Sequence, residues 1–331
     1  MAKSLLGIEI GDYSVKLAVT KEARVERIVK RELPDNMVRQ GNITSWEAMA
    51  DFLKNILKEE KISCKDAAVV LPESLTYVRS VTMPAMTIEQ LKVNLPYEFR
   101  DYISEEKDKY FYDYAVVEMH RDEDGHPTSM DLMAAAVKKS VIEQYRNLCK
   151  RAGLKLVVAA PEAAALQNIV HRVMRRSGKK QDFALLDLAH EAIRLSIFTN
   201  GEYDVARNME PGCSALTGIA AEVFDVDMHI ALLHVQKNYQ NIWNHDNAVG
   251  LYSRIAVEIM RVINFYGFNH PDHSLENVYY YGGGSKITPL LEEIRGTIEQ
   301  ELISLDHLFE SDELVGTQIM ESPAAVGITW K

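Results

Sequence analysis

Two stretches of the chain, 178 residues apart, follow the same order of apolar, acidic, small and basic residues. In the first, LLGIEIGDYSVKLAV at residues 5–19, two apolar runs flank a glycine turn, and LLDLAHEAIRLSI at residues 185–197 repeats the pattern. The matched residues are the acids Glu9 and Asp187, the bases Lys16 and Arg194, and the small residues Gly11 and Ala189. This repeat predicts a duplicated fold, in which the equivalent acids of the two halves face each other across a cleft.

Each stretch continues into a third strand candidate, RVERIVKREL in the first half and EYDVARNM in the second. The turn dipeptide of Asn200 and Gly201, which is favoured in hairpins, precedes EYDVARNM. In the first half, Thr44 and Glu47 have the spacing of a capping box, and apolar residues at helical spacing follow. The strand AAVVLPE at residues 67–73 closes the unit. Three strands, a helix and a strand predict one half of an α/β layer.

Residues 76–155 have no counterpart in the second half and are predicted to form an α+β insertion. YFYDYAVVEM and SMDLMAAAV flank the charged turn RDEDGHPT, which is typical of a strand hairpin. The first of two predicted helices contains Pro96, which kinks it or starts a new helix, and the second ends at Gly153. Two pairs with capping-box spacing predict the helix starts: Thr87 with Gln90, and Ser140 with Glu143.

The second half has a mainly helical segment at residues 213–275, followed by the strand NVYYYG and a glycine-rich loop. Thr288 before Pro289 predicts a helix N-cap followed by proline at the first helical position. Because glycine lets backbone approach a ligand closely, the loop is a candidate nucleoside contact. Its residues are Gly282, Gly283, Gly284 and Ser285.

Composition and charge narrow the classes of function. The chain has 331 residues and a formal net charge of -11 without a long basic stretch, which argues against nucleic acid as the main ligand. The most apolar long segment, residues 154–170, is interrupted by Pro161 and Glu162 and is too short to span a membrane. Cys64, Cys149 and Cys213 form no CxxC pair, which favours buried thiols in a reducing cytoplasm.

Phosphate binding needs backbone amides in a turn, a positive charge, and a metal held through carboxylates and water. The turn at Gly11 offers amides, Lys16 offers the positive charge, and Glu9 and Asp187 offer two acids on opposed strands. Each piece alone is more typical of a plain hairpin than of a phosphate site. All of them in this order, with the later glycine loop, favour nucleotide binding, and a plain hairpin remains the alternative.

Four stretches of the chain resemble one family: GIEIGDYSVK, LPESLTYVRSVTMPAMTIEQL, AAVKKSVIEQYRNLCKRAGL and the GGGS loop. They look like the PilM proteins of type IV pilus assembly, relatives of the cell-division protein FtsA in the actin superfamily. The resemblance implies an α/β, actin-like (ribonuclease H-like, duplicated) two-lobe fold with an FtsA-type inserted α+β subdomain. It also implies ATP and Mg²⁺ in the cleft.

Pattern and resemblance together divide the chain into six segments. They are a first lobe at 1–75, the insertion at 76–155, the return to the first lobe with a crossover helix at 156–182, the second lobe at 183–221, its helical subdomain at 222–275, and the nucleotide loop with a C-terminal helix returning to the first lobe at 276–331.

The resemblance assigns candidate nucleotide-binding residues in both halves. They are Gly11, Asp12, Tyr13, Ser14, Lys16, Asp187, Gly282, Gly283, Gly284 and Ser285, with Glu9 and Asp187 holding Mg²⁺ through water. Three positions depart from the family pattern: Ala189 replaces a glycine, Ala192 a hydroxyl residue and Ala160 an aspartate. The added Cβ and the missing polar groups put ATP hydrolysis in doubt, and no residue stands out to position an attacking water.

We therefore expect an actin-like adaptor in the cytoplasm, recruited to the inner face of the membrane only through a partner. The resemblance implies that it binds the N-terminal tail of a PilN-like membrane protein and links it to the pilus assembly ATPase and other machinery, with self-association open. An extended tail commonly adds to a strand edge or an apolar groove, so we place it between the insertion, including the strand at 76–83, and the first lobe. The alternative is an active ATPase or filament-forming protein of the FtsA type.

Two further features favour plain interpretations. His229 and His234 are five residues apart, which does not place them on one helix face, and HPDH at 270–273 is typical of a polar turn. The basic residues Arg172, Arg175, Arg176, Lys179 and Lys180 suit a helix C-terminus, with contact to an anionic membrane leaflet or acidic partner as the alternative.

Overall fold

The computed structural model describes residues 4–22, 24–310, 313 and 317–330, so the outer ends of the predicted 1–75 and 276–331 segments lie partly outside the described residues. The chain divides into two compact units. The first comprises Met1–Arg175, Glu202–Val205 and Ser311–Lys331, and the second comprises Arg176–Gly201 and Ala206–Glu310.

The first unit is built on a five-stranded sheet with the order β10-β6-β1-β2-β3. β1 to β3 form an antiparallel meander, and β6 and β10 add in parallel to β1. Its elements are β1 (Ser4–Ile10), β2 (Ser14–Lys21), β3 (Arg24–Glu32), the short hairpin β4 (Val38–Arg39) and β5 (Asn42–Ile43), α1 (Trp46–Glu59), β6 (Asp66–Leu71), β10 (Lys155–Pro161), α4 (Glu162–Ser177) and α9 (Pro323–Gly327).

The insertion has its own three-stranded antiparallel sheet, in which β9 lies between β7 and β8. A separate hydrophobic core, with Phe99 and Leu132 among its members, covers one face of this sheet. Proline at position 96 ends α2 and starts a 3₁₀ helix at Leu95–Phe99, as one of the two predicted outcomes. The elements are β7 (Thr76–Pro84), α2 (Ile88–Asn94), β8 (Tyr110–Arg121) and β9 (Pro127–Lys138).

The helix that follows the insertion sheet, α3 (Lys139–Arg151), belongs to the core of the first sheet. Tyr145 is buried there and meets Trp46 of α1 edge-on, with ring centroids 5.0 Å apart. The chain then turns at Gly153, whose φ of +83° suits glycine at a helix C-terminus, as predicted. The insertion sheet has its own core, and α3 anchors the insertion to the first sheet.

The second sheet has the order β13-β12-β11-β14-β15. An antiparallel meander, β11 to β13, again begins it, and β14 and β15 add in parallel. Its strands are β11 (Phe183–Leu188), β12 (Ile193–Thr199), β13 (Glu202–Met209), β14 (Asn277–Tyr281) and β15 (Glu301–Ser304), and the helices are α5 (Ala215–Phe224), α6 (Met228–Gln236), α7 (Asp246–Asn269) and α8 (Thr288–Thr297).

The repeat predicted from the sequence is confirmed in the strand register. Glu9 lies opposite Lys16 in the β1–β2 pair, and Asp187 lies opposite Arg194 in the β11–β12 pair. The hairpin turn at Asn200 and Gly201 has left-handed φ values of +50° and +83°. In each strand meander, an acid on the first strand therefore lies opposite a base on the second, at equivalent positions.

The capping box at Thr87 and Gln90 is confirmed, whereas three predicted N-caps are wrong. α1 is capped by the Ser45 side chain, which accepts from the Ala48 N–H, because the Thr44 hydroxyl instead donates to Asn36 and Met37 carbonyls. α3 begins one residue before Ser140, without a side-chain cap. α8 begins at Thr288 itself, after Ile287 as the N-cap residue.

None of the helices in the described ranges is both long and apolar enough to cross a membrane.

Candidate functional site

In the first unit, the acid and base of the first strand pair form an ion pair. Glu9 Oε1 lies 2.5 Å from Lys16 Nζ, and less than a fifth of either side chain is exposed. The second carboxylate oxygen, Glu9 Oε2, is buried and has no hydrogen-bond partner among the described residues. A buried acceptor without a donor is costly, so this oxygen fits a water in the shell of a hydrated cation.

Hydrogen bonds within the turn and to neighbouring segments fix the turn between β1 and β2. The Gly11 N–H donates to the Ser14 carbonyl at 3.1 Å, which closes the turn. Asp12 Oδ1 accepts from the Gly41 N–H at 2.8 Å, so the predicted phosphate residue has a structural partner in the β4–β5 turn. The Tyr13 carbonyl accepts from the Leu33 N–H at 2.9 Å.

The β4–β5 turn connects this first turn to the base of the insertion. Gly41 has φ +74°, and a Cβ there would lie 2.5 Å from the Ser74 hydroxyl and 3.2 Å from Pro72 Cβ. Only glycine fits such a close approach with this backbone conformation. β7, the first strand of the insertion, begins at Thr76, just after Ser74. Gly41 is therefore a close neighbour of both the turn that carries Asp12 and the start of the insertion.

Ala160, one of the three positions that depart from the pattern expected for the family, lies level with Glu9 in the first sheet. Ala160 of β10 pairs with Val70 of β6, and Val70 pairs with Glu9 of β1. Across these three strands Glu9 is therefore the one acid at this level.

In the second unit, Asp187 and the glycine loop lie together. Asp187 pairs with Tyr281 across the parallel β11–β14 ladder, so Gly282 follows directly beside it. Gly282 has φ +93°, and a Cβ there would lie 2.3 Å from Asp187 Oδ1. The Ser285 hydroxyl donates to the Gly282 carbonyl at 2.7 Å and closes the loop. The structure thus brings together the site residues predicted in this unit.

The second turn, residues 189–192, is packed against a segment that sequence reasoning missed. The carbonyls of Ala189, His190 and Glu191 accept from the N–H groups of Cys213, Ser214 and Gly212, respectively, at 2.8–3.0 Å. A Cβ at Gly212 would lie 2.4 Å from the His190 carbonyl oxygen. The adjacent proline and glycine at 211 and 212 were the available sequence signal. The second turn therefore packs against residues 212–214 and does not repeat the structure of the first turn.

The cysteines are poor nucleophiles. Burial raises the pKa of Cys213 to about 12, with a smaller contribution from the nearby Asp187 charge. Burial also raises the pKa of Cys149 to about 12 and raises that of Cys64. Because the thiolate is the reactive form, none of the three is suited to covalent or redox chemistry at neutral pH.

Two arginines of the basic cluster, Arg172 and Arg176, contact neighbouring segments of the chain. Arg172 Nε lies 2.5 Å from Glu313 Oε1, and its guanidinium stacks 4.4 Å from the Trp330 ring centroid. Arg176 Nη2 donates to the Leu308 carbonyl at 2.8 Å. The plain interpretation, a helix end tied to neighbouring segments, therefore accounts for these two arginines.

The histidines singled out from the sequence also have structural partners. His234 of α6 stacks on Tyr239, with ring centroids 4.3 Å apart, and meets Phe224 edge-on at 5.0 Å. His273, in the HPDH turn before β14, lies 3.2 Å from Asp182 Oδ2. Among the described residues, neither His229 nor His234 belongs to a group placed to hold a metal ion.

Comparison with solved structures assigns the fold. A chain of a "PilM-PilN type IV pilus biogenesis complex" is 22% identical, with a TM-score of 0.80 over 98% of this chain and 97% of that one. The ethanolamine utilization protein EutJ from Carboxydothermus hydrogenoformans is 13% identical, with a TM-score of 0.58 over 98% and 88%. MreB 5 of Spiroplasma citri bound to AMPPNP is 12% identical, with a TM-score of 0.51 over 92% and 93%. The predicted actin-like fold is confirmed.

The family is assigned by sequence. The family model described as type IV pilus assembly protein PilM matches residues 7–320. The chain therefore belongs to the PilM family of type IV pilus assembly proteins.

Proposed function

We propose that this chain is a cytoplasmic adaptor that binds the N-terminal tail of a PilN-like membrane protein and links it to the pilus assembly motor. The observation that carries the proposal is the match to the PilM family over residues 7–320, together with the likeness of nearly the whole chain to a protein from a PilM–PilN complex. Recruitment to the inner face of the membrane then follows from the tail, since no described helix is suited to span a membrane.

The insertion offers an edge for an extended tail. β7 pairs with β9 on one side, and the order β7-β9-β8 leaves its other side at the sheet edge. Leu75 and Val137, at the roots of β7 and β9, pack against the core of the first sheet. An extended peptide gains main-chain hydrogen bonds by adding to such an edge. We therefore place the tail along β7, close to the junction with the first sheet.

Tail binding is tested by titrating the intact chain into a fluorescently labelled peptide that carries the cytoplasmic tail of a PilN-like protein from the same organism. We expect a saturable rise in fluorescence anisotropy, because an ordered edge supplies a defined site. A scrambled peptide of the same composition is the control. Equal responses to both peptides, or no saturation, would contradict the adaptor proposal.

A second function, nucleotide binding, is favoured by the site geometry. In the second unit, we propose that Asp187 and the loop of Gly282, Gly283, Gly284 and Ser285 contact ATP, because glycine keeps backbone accessible beside the carboxylate. In the first unit, we propose that Lys16 and the turn of Gly11, Asp12, Tyr13 and Ser14 contact phosphate. The likeness to an MreB bound to AMPPNP supports a nucleotide of this class.

The first unit also has the chemistry to hold a hydrated Mg²⁺. Glu9 Oε2 is buried and lacks a donor among the described residues, which suits a metal-bound water. Asp187 is the corresponding carboxylate of the second unit. When bound, Mg²⁺ would neutralise phosphate charge. Glu9 also keeps Lys16 in place through the 2.5 Å ion pair, so the cation and the lysine share one carboxylate.

Calorimetry of ATP binding, together with a phosphate-release assay on the same sample, distinguishes an adaptor from an ATPase. We expect ATP with Mg²⁺ to bind without phosphate release, because Ala160, Ala189 and Ala192 replace polar or glycine positions of the family pattern. Asp187→Asn should weaken binding by about ten-fold, a change of about 1.4 kcal/mol. Asp246→Asn, an exposed carboxylate in the first turn of α7, is the matched control.

Three outcomes would overturn parts of this view. No heat of binding would remove the nucleotide proposal and leave the adaptor in place. Equal binding by both variants would remove Asp187 from the site. Phosphate release that is lost in Asp187→Asn would favour the alternative, an active ATPase of the FtsA type.

A further inference from the structure

A group of metal-ligating side chains lies on the insertion hairpin and shares no residue with either candidate site. Glu118, His120 and Asp131 each offer one ligand atom, and these atoms all lie within 4.8 Å of one another. His120 Nε2 lies 2.7 Å from Asp131 Oδ2. An imidazole with two carboxylates is a ligand set that binds zinc and similar divalent transition metals.

The strand register creates this arrangement. A shift in the β8–β9 pairing between Val116 and Glu118 places Glu118 directly opposite Asp131. Like charges directly opposite each other on neighbouring strands are destabilising. A register without this shift would move Glu118 to the other face of the sheet. The two carboxylates are therefore held together by the backbone, where a bound cation would offset their repulsion.

Asp131 is further oriented from the third strand. Thr82 of β7 lies opposite Asp131 and donates to Asp131 Oδ1 at 2.6 Å, which leaves Oδ2 on the side of His120. Hydrogen bonds that orient a ligating carboxylate are typical of metal sites.

We propose that Glu118, His120 and Asp131 form a surface site for a divalent transition cation of the zinc type. Three protein ligands leave a fourth position for water or for a group from a partner. Bound metal would fasten the end of β8 to the central strand β9, on the same insertion that carries the β7 edge. The three ligands lie on β8 and β9 and belong to neither the tail site nor the nucleotide site, and Thr82, which orients Asp131, lies on β7.

The proposal is tested by calorimetric titration of the intact chain with Zn²⁺, and by the visible absorption of Co²⁺ in the same site. We expect one saturable site. Affinity should fall more than ten-fold in His120→Asn and Asp131→Asn, and by about ten-fold in Thr82→Val, which removes only the orienting hydrogen bond.

Two control variants locate the binding. A second group, Asp122, Asp124 and His126, lies at the tip of the same hairpin, so His126→Asn should keep Zn²⁺ binding. His229→Asn removes an exposed histidine of the second unit and should also keep it. Equal binding by His120→Asn and the parent chain, or loss in His126→Asn alone, would overturn the proposal, as would the absence of saturation. Circular dichroism of each variant reports whether the sheet is intact.

Discussion

Gly7→Ala should lower the free energy of unfolding of the first unit by about 3 kcal/mol, at the upper end of the usual cost of overpacking. Gly7 lies in the central strand β1, and a Cβ there would lie 1.8 Å from the Ala325 carbonyl oxygen of α9. Residues 323–327 of α9 are all buried, and Asn168 donates to the Gly327 and Trp330 carbonyls at 2.9 Å. The helix therefore has little room to move away.

The change is measured by equilibrium urea unfolding followed by tryptophan fluorescence, in which Trp46 and Trp330 report on the first unit and Trp243 reports on the second. Gly267→Ala is the matched control, because Gly267 lies in α7 and a Cβ there meets nothing within 4 Å. That control should gain about 0.5–1 kcal/mol from helix propensity. A Gly7→Ala protein as stable as the control would show that α9 is not packed closely on β1.

The expected loss has a functional consequence, since β1 carries Glu9 and leads into the first turn. α9 packs against β1. A Cβ added at Gly327 of α9 would lie 2.1 Å from the Ala165 carbonyl oxygen of α4. Two glycine contacts thus fix the C-terminal segment between β1 and α4. The strand that leads into the first turn is therefore packed against residues more than 300 positions later in the chain.

Much of the fold could be predicted because its signals are local and repeated. The 178-residue repeat predicted both strand meanders, and proline and glycine positions predicted the break at Pro96 and the end of α3 at Gly153. The errors were in helix caps, and at α1 the cause is competition between adjacent hydroxyl residues. Thr44 has the expected spacing, but its hydroxyl bonds to the preceding loop, and Ser45 takes the cap.

The candidate site was predictable in its residue types and less so in its contacts. Asp187 and the glycine loop, both predicted from the sequence as site residues, lie together because parallel β11 and β14 end at the same edge. The pairing of Asp12 with Gly41 and the packing of Gly212 against the second turn join residues that are 20 to 30 positions apart. No periodicity in the sequence encodes such contacts, since they depend on how loops fold over strand ends.

The second large effect concerns the place where the tail binds. Ser80 of β7 and Asp113 of β8 are both exposed, and they lie on the same face of the insertion sheet, at its opposite edges. A photoreactive benzoylphenylalanine at position 80 should crosslink to the bound tail peptide at least ten-fold more than one at position 113. Both positions are solvent-accessible, so the substitutions leave the sheet's core in place.

Crosslinking from these two positions shows both whether the tail binds and which edge of the insertion sheet it uses. We expect a crosslink from position 80 that excess unlabelled tail peptide removes, with little product from position 113. A crosslink from position 113 alone, or no competable product from either position while both proteins remain folded, would contradict it.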